Sequence, residues 1–409
     1  MAIRHCFDKD VDQVLFEGNS SVKRVILNRP QKLNSLNYHM ICQMIKELKA
    51  FEADPKVKIV ILKGNGKAFC AGGDVLASYT CQVAGENHLL RKFKVIGKCL
   101  IPLMFISLDE AGHWSYGTNF YKKQVMLDYL VATYGKPVVA IIDGIVMGGG
   151  AGLSLQATFR IVTENTVFAM PETAIGHFAD VGSSYFLSRL PGFYGEYLGL
   201  TGAKIRGAEM VECGLATHFM LAKDVPLLET ALDEVTSDTK TISEIISKFT
   251  HKSTVKQHGA YSRLEIINKC FSRTTVEEIL SSLESEAKTK SEKWILDAIN
   301  WIKSACPTSL KISLRSIREG RTKELEQCLI QECTIVCHIV RRTVSNDFYE
   351  GVRAILLDKD KNPKWEPSKL ELVTDEMVDR YFSRVDEDDM EPLQLPARSS
   401  LVDTMRPKL

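Results

Sequence analysis

The fold is decided by a stretch between Lys136 and Leu190, which reads KPVVAIIDGIVMGGGAGLSLQATFRIVTENTVFAMPETAIGHFADVGSSYFLSRL. It begins with an apolar, β-branched run from Val138 to Ile142, which is typical of a buried strand. A glycine-rich segment at residues 148–152 leads into helix-forming residues and a second apolar run, and two acids follow, Glu172 and Asp180. This order of strand, glycine turn, helix, strand and acids suits chemistry on an anionic or carbonyl-bearing group.

The residues before this stretch predict a mostly parallel sheet. Two short strands, Val14 to Glu17 and Val22 to Leu27, flank Gly18-Asn19 and indicate a hairpin. Apolar residues then keep a helical period from Asn37 to Ala53, and an apolar strand follows from Val57 to Leu62. Because strand, helix and strand alternate, the sequence favours an α/β fold built on crossover units.

The pattern becomes helical after about Asp224. The segments from Glu278 to Lys303 and from Ser309 to Arg342 are charged, helical in period and poor in strand-like β-branched runs. We therefore expect a mainly helical C-terminal region. The expected division is a catalytic core at 1–223, a helical region at 224–383 and a polar tail at 384–409.

Composition excludes several classes of partner. The 409 residues contain 52 Lys and Arg against 51 Asp and Glu, so no overall field attracts nucleic acid or an anionic membrane. The apolar segment at 137–155 is interrupted by Asp143 and five glycines, which argues against a membrane span. Eleven scattered cysteines are typical of reduced thiols rather than of a disulfide framework.

The two ends bear on location. The first residues, MAIRHCFDKDVDQ, include acids and lack the apolar region of a secretory signal. The last three, Pro407-Lys408-Leu409, resemble a weak variant of the C-terminal S-K-L peroxisomal address. We expect a peroxisomal location and contact with the import receptor, with the cytosol as the fallback.

The glycine cluster at 148–152 predicts an anion site rather than a nucleotide loop. It fits neither G-x-G-x-x-G nor G-x-x-x-x-G-K-[ST]. It does offer backbone N–H groups at the start of a helix, where the dipole favours negative charge. Two such groups form an oxyanion hole for an acyl carbonyl, with Gly73 as the second donor. Alternatively, the Gly72-Gly73-Asp74 segment is a tight structural turn.

The two acids allow a catalytic and a structural interpretation. Glu172 follows a strand-like run, and Asp180 comes eight residues later, just before a helix-like run. Beside an oxyanion hole, one acid could activate a nucleophile while the other orients the substrate. The structural alternatives are a solvated turn carboxylate for Glu172 and a helix N-cap for Asp180.

Other reactive residues are interpreted as structural. Cys328, Cys333, Cys337 and His338 lie on a strongly helical stretch, where only Cys333 and Cys337 share a face. Cysteines on the apolar side of a helix explain this pattern better than zinc ligands, so we expect no metal. His177, near the acids, is more often structural as a lone histidine.

Several motifs together resemble the crotonase (enoyl-CoA hydratase/isomerase) superfamily, and within it the acyl-CoA hydrolases. The resemblance covers nearly the whole chain. It implies a crotonase-like spiral of ββα units capped by helices. Its motifs are Asn28-Arg29-Pro30 to Leu36, Phe69 to Asp74, Met147 to Gly150, Met170 to Gly182, Ser309 to Ile312, Asp347 to Ala354 and Pro363-Lys364-Trp365.

The resemblance also implies roles for single residues. The peptide N–H groups of Gly73 and Gly149 are expected to form the oxyanion hole, and Glu172 and Asp180 to be catalytic. Gln124 is expected to contact the substrate together with Gly149 and the two acids, at a position where relatives often carry glutamate. Whether Glu172 attacks as a nucleophile or acts as a base on water stays open.

The departures from the family pattern guide the expected reaction. Enoyl-CoA hydratases use two glutamates, and Gly152 stands at the first of these positions. The resemblance therefore implies hydrolysis of a short-chain 3-hydroxyacyl-CoA, above all 3-hydroxyisobutyryl-CoA in valine breakdown, with the substrate hydroxyl paired to Asp180 or a neighbour. No cofactor is expected beyond the coenzyme A of the substrate. The alternatives are an enoyl-CoA hydratase or isomerase, and a CoA-binding paralogue in which His177, Ala179 and Gln124 accompany lost catalysis. Oligomeric state stays open.

Overall fold

The computed structural model describes residues 12–76, 79, 114–234, 239–251, 260–385 and 393–398. Its strands are β1 Val14–Gly18, β2 Val22–Leu27, β3 Ile59–Gly64, β4 Ala68–Cys70, β5 Val138–Ile142, β6 Ile145–Met147, β7 Phe159–Val162, β8 Val167–Ala169, β9 Ile205–Arg206 and β10 His218–Phe219.

The α-helices in these ranges belong to both halves of the chain. The first six are α1 Tyr38–Ala53, α2 Trp114–Ala132, α3 Gly149–Leu155, α4 Ser183–Phe186, α5 Tyr194–Thr201 and α6 Gly207–Cys213. The later ones are α7 Val225–Asp233, α8 Thr239–Phe249, α9 Ala260–Phe271, α10 Val276–Thr289, α11 Lys293–Ser304, α12 Pro307–Gly320, α13 Leu325–Val340, α14 Asp347–Val352 and α15 Asp375–Phe382. The described residues after 224 contain helices and no strand, which confirms the predicted helical region.

The larger sheet confirms the predicted parallel topology. Its strand order is β1-β2-β3-β5-β7-β10, and every neighbouring pair is parallel except the β1–β2 hairpin. Apolar residues of both faces are buried, as parallel sheets require. The strand predicted from Val57 instead runs from Ile59 to Gly64, because pairing with β2 sets its length.

The smaller sheet positions the functional residues. Its order is β4-β6-β8-β9, and β4, β6 and β8 run parallel to one another. The carboxyl ends of parallel neighbours meet at one edge of a sheet, which is where ligands bind in α/β folds. Gly73 follows β4, the glycine cluster follows β6 and Glu172 follows β8, so three distant motifs meet at this edge.

One expected loop differs from the structure. The sequence from Glu86 to Thr133 predicts an irregular helix with a loop around Asp109 to Gly117, but α2 already begins at Trp114, so the loop prediction is wrong for residues 114–117. The preceding residues from Glu86 lie outside the described part of the chain. Gly117 is buried within the helix.

The helical region packs directly on the core. One buried apolar cluster includes Leu62 of β3, Leu153 of α3, Ile317 of α12 and Tyr381 of α15. The described tail residues also lie on the body, where Arg398 pairs with the carboxylate of Glu52. The division at residue 223 stays a prediction. Among the described residues, no helix has the length and apolarity needed to cross a membrane.

Candidate active site

The Gly73 N–H group points away from the backbone pairing that its neighbours make. Leu36 donates its N–H to the Gly72 carbonyl at 2.8 Å, and Asp74 donates to the Leu36 carbonyl at 2.7 Å. In this parallel bridge alternate residues face the partner, so the N–H of Gly73 points to the other side. Gly72 has a φ of 111°, a conformation that favours glycine.

The loop that bears Leu36 is fixed by Asn34. Its side-chain amide donates to the carbonyls of Asn65 at 2.9 Å and Ala68 at 2.8 Å, and its oxygen accepts from the Arg29 N–H at 2.8 Å. Asn34 is fully buried and has a φ of 56°, which asparagine tolerates better than most residues. The asparagine thus holds the strip of backbone that positions Gly73.

Gly149 lies beside Gly73. A Cβ atom placed on Gly149 would stand 3.3 Å from the Gly73 nitrogen, so the two peptide groups are neighbours. Gly149 is also the first residue of α3, and the first N–H groups of a helix have no acceptor within it. The structure therefore brings together the two predicted donors of an oxyanion hole.

Glu172 lies against the same glycine turn, at Gly148. A Cβ atom on Gly148 would lie 2.7 Å from Glu172 Oε1, and Gly148 has a φ of 45°. Glu172 is 8% exposed, so the alternative of a solvated turn carboxylate is wrong. Its Oε2 atom has no hydrogen-bond partner among the described residues. Burial raises the pKa of Glu172 well above its usual range, and the negative charge of Asp180 raises it further.

Asp180 completes a pair of buried acids. It is 6% exposed, and burial raises the pKa of its carboxyl from 3.8 to about 7. The N-cap of α4 is Gly182, without a side-chain cap, so the alternative of an Asp180 N-cap is wrong. A carboxyl with a pKa near neutrality can both accept and release a proton at physiological pH.

Glu332 of α13 holds the turn that follows Asp180. Its carboxyl accepts hydrogen bonds from Gly182 N at 2.6 Å, Ser184 N at 2.9 Å and Ser184 Oγ at 2.6 Å. Burial raises the pKa of Glu332 to about 8. Sequence reasoning missed this residue, although an acid within the apolar run from Cys328 to Cys337 was an available signal.

Gln124 and Asp128 of α2 lie close to the glycine turn. Gln124 donates from Nε2 to Asp128 Oδ1 at 2.8 Å. Gln124 Oε1 lies 3.6 Å from the position of a Cβ atom on Gly149, so the predicted substrate contact is next to the oxyanion hole. Asp128 was not predicted, although two polar residues four apart on a buried helix share one face.

Aromatic rings surround the side chain of His177. The His177 ring stacks on Tyr121 and Phe178, with centroids 5.4 and 5.3 Å away, and meets Phe348 edge-on. Burial lowers the pKa of His177 to about 4, so the ring is neutral at physiological pH. His177 Nδ1 lies 2.9 Å from the Phe178 carbonyl, which makes Nδ1 the donor and leaves Nε2 as an acceptor.

Gly152 cannot carry the acid that hydratases place there. A Cβ atom at this position would lie 2.6 Å from Val181 Cβ, 2.9 Å from Val181 O and 2.8 Å from Asp128 Oδ2. Val181 has a φ of 57°, which is rare for a β-branched residue and is imposed by the turn around it. The space for a first catalytic glutamate is therefore already filled.

The cysteines have the predicted environment. Cys328, Cys333 and Cys337 are buried on α13, and His338 lies 2.9 Å from the Ser383 carbonyl. Within the described ranges, no group of three or more His, Cys, Asp or Glu side chains is arranged to hold a metal ion.

Comparison with known proteins identifies the family. The enoyl-CoA hydratase/isomerase model matches residues 22–382. The chain is 52% identical to 3-hydroxyisobutyryl-CoA hydrolase 1 of Arabidopsis thaliana, over 95% of this chain and 96% of that protein. It is 49% identical to the probable 3-hydroxyisobutyryl-CoA hydrolase 3 of the same plant, with the same two coverages.

Solved structures agree on the fold. A carnitinyl-CoA dehydratase from Mycobacterium thermoresistibile superposes with a TM-score of 0.76 at 30% identity, over 92% of this chain and 98% of that one. The predicted crotonase-like fold is thereby confirmed. The chain belongs to the enoyl-CoA hydratase/isomerase family.

Proposed function

We propose that this chain is an acyl-CoA thioester hydrolase that converts 3-hydroxyisobutyryl-CoA and water to 3-hydroxyisobutyrate and coenzyme A. The observation that supports it best is one arrangement of four residues. The N–H groups of Gly73 and Gly149 lie together beside Glu172. Gly152 has no room for the other glutamate that enoyl-CoA hydratases use. The names of the Arabidopsis relatives support the choice of substrate.

The reaction follows from this arrangement. The thioester carbonyl oxygen accepts hydrogen bonds from Gly73 and Gly149, which stabilise the negative charge that forms on attack. Glu172 either attacks the carbonyl carbon or takes a proton from the attacking water. The carbon–sulfur bond then breaks and coenzyme A leaves as a thiolate. In the nucleophilic route the acyl group stays on Glu172 as a mixed anhydride, and water cleaves this anhydride to release the acid and restore the Glu172 carboxylate. Asp180 is suited to supply the proton that the thiolate needs, because its pKa is raised to about 7.

A panel of acyl-CoA substrates tests the proposal. Thiol release is followed with a disulfide reagent, and loss of the enoyl chromophore is followed separately. We expect thiol release from 3-hydroxyisobutyryl-CoA. Chromophore loss without thiol release would instead establish a hydratase, and binding without either signal would establish a paralogue without catalysis.

The role of Glu172 has its own test. If Glu172 attacks, its carboxylate and the acyl group form a mixed anhydride, which hydroxylamine converts to a hydroxamate on Glu172 that mass spectrometry detects. If Glu172 acts as a base on water, no hydroxamate forms on it during turnover. In both cases Glu172→Gln should lower kcat by at least about 100-fold.

We also propose that the protein acts in valine breakdown and is located in peroxisomes. The valine assignment rests on the proposed substrate. The location is supported by Pro407-Lys408-Leu409, which lies outside the described residues. An import receptor that binds this terminus is the expected partner.

A further inference from the structure

The Gln124–Asp128 pair has hydrogen-bonding capacity that the proposed reaction does not use. The two side chains are 2% and 0% exposed and are joined by the bond from Gln124 Nε2 to Asp128 Oδ1. Gln124 Oε1 and Asp128 Oδ2 are also buried, yet neither has a hydrogen-bond partner among the described residues. Buried polar atoms are nearly always paired, so an unpaired acceptor in a site indicates a place for a ligand donor.

The unpaired oxygen of Gln124 lies next to the proposed oxyanion hole. It lies 3.6 Å from the Cβ position of Gly149, whose N–H is one of the two oxyanion donors. The thioester carbonyl cannot bond to this oxygen, since both are acceptors. A hydroxyl on the acyl chain, close to the carbonyl, is a donor that could reach it.

Asp128 decides which end of the amide faces the substrate. An amide has a donor end and an acceptor end of nearly the same shape, and a half-turn exchanges them. Because Asp128 Oδ1 accepts from Nε2, the carbonyl end is left toward Gly149. Without an acceptor at residue 128 the amide could turn and present its NH₂ group, which is a donor and cannot accept the hydrogen bond of a hydroxyl.

Asp128 suits this role because it need not carry charge. Burial raises its pKa well above the usual range, and the charges of Asp180 and Glu332 act in the same direction, against the bond from Gln124. A protonated carboxyl still accepts through its carbonyl oxygen. The pair is therefore oriented without a buried anion next to the oxyanion hole, where negative charge would oppose the reaction.

We propose that Asp128 is a positioning residue that orients Gln124, so that Gln124 Oε1 accepts a hydrogen bond from the hydroxyl of a hydroxyacyl thioester. This inference rests on the proposed function, because it concerns the same substrate class. It assigns the hydroxyl to Gln124 rather than to Asp180, and it makes residue 128 a determinant of specificity.

Two thioesters that differ only in the hydroxyl test the inference. The measured quantity is kcat/KM for 3-hydroxyisobutyryl-CoA divided by kcat/KM for isobutyryl-CoA, which we call the hydroxyl preference. Asp128→Leu removes the acceptor at similar volume and should lower this preference about tenfold, the value of one ordinary hydrogen bond. Asp128→Asn keeps an oxygen for Gln124 Nε2 and should hold the preference within about threefold of wild type.

The double variant shows whether Asp128 acts through Gln124. Gln124→Leu alone should lower the hydroxyl preference about tenfold, and adding Asp128→Leu should lower it no further. Circular dichroism and thermal unfolding check that each variant is folded. If Asp128→Leu does not fold, Asp128→Ala replaces it with the same expectation.

Each remaining outcome overturns the inference in a recognisable way. If both thioesters lose the same activity in Asp128→Leu, the residue is structural. If Asp128→Asn loses the preference as fully as Asp128→Leu, the carboxyl itself is needed. If the two single effects add, Asp128 acts without Gln124. If wild type releases no thiol from 3-hydroxyisobutyryl-CoA, the proposed function fails and the inference with it, whereas thiol release with an unchanged preference refutes the inference alone.

Discussion

The ionised Asp180 carboxylate should lower the free energy of unfolding at neutral and alkaline pH. The substitution Asp180→Asn should restore the lost stability. Burial raises the pKa of this carboxyl from 3.8 to about 7. A group that binds its proton more tightly in the folded state stabilises the fold at acid pH and loses that contribution as pH rises through the folded pKa. The wild-type protein should therefore lose stability between about pH 4 and pH 8.

The size of the effect follows from the pKa gap. One pKa unit corresponds to about 1.4 kcal/mol, so the gap between 3.8 and about 7 sets an upper limit of about 4 kcal/mol. Asn cannot ionise and has nearly the same shape. Relative to wild type, Asp180→Asn should gain a few kcal/mol at pH 8.5 and far less at pH 4.5, while kcat falls at least about 100-fold.

Urea unfolding followed by circular dichroism at pH 4.5 and 8.5 measures this difference. Asp297→Asn, which removes an exposed carboxylate from α11, is the matched control and should change the free energy of unfolding by less than about 0.5 kcal/mol at both pH values. The reasoning is refuted if Asp180→Asn shifts stability equally at the two pH values. It is also refuted if the variant is less stable than wild type at pH 8.5.

Three further changes have distinct expected results. Gly148→Ala places a methyl group against the carboxylate of Glu172, which we propose is catalytic, and should lower thiol release at least about 100-fold; Gly214→Ala, with a φ of 93° but nothing within 4 Å, should not, and equal losses would contradict the geometry. Glu332→Ala leaves two buried N–H groups unpaired and should cost about 2–6 kcal/mol in urea unfolding, against little for the exposed Glu326→Ala. Deleting Lys408-Leu409 should leave a fluorescent fusion in the cytosol, and unchanged peroxisomal targeting would count against the terminal signal.

The sequence predicted those parts of the site in which a local pattern determines the backbone conformation. The runs before and after Gly148 predicted strand, turn and helix, and the parallel order of β4, β6 and β8 brings the predicted residues to one edge. Asp128 and Glu332 were not predicted. Their helical positions gave a signal in the sequence, but the partners that they contact lie in distant parts of the chain, which spacing does not encode. Asp128 Oδ2 lies against Gly152, which belongs to another helix. Glu332 accepts a hydrogen bond from Gly182, about 150 residues earlier in the chain.

These long-range contacts make the helical region part of the candidate site. Thr173, next to Glu172, accepts at its carbonyl from the Cys306 N–H at 3.0 Å and at its hydroxyl from Trp301 Nε1 at 3.0 Å. A Cβ atom on Gly176 would lie 2.2 Å from the Asp347 carbonyl oxygen, so only glycine allows this approach. The turn that bears Glu172 is thus held by α11, α12 and α14, and the turn after Asp180 by α13. Because both acids depend on these helices for their position, residues 1–223 alone would contain the proposed catalytic side chains without the supports that orient them.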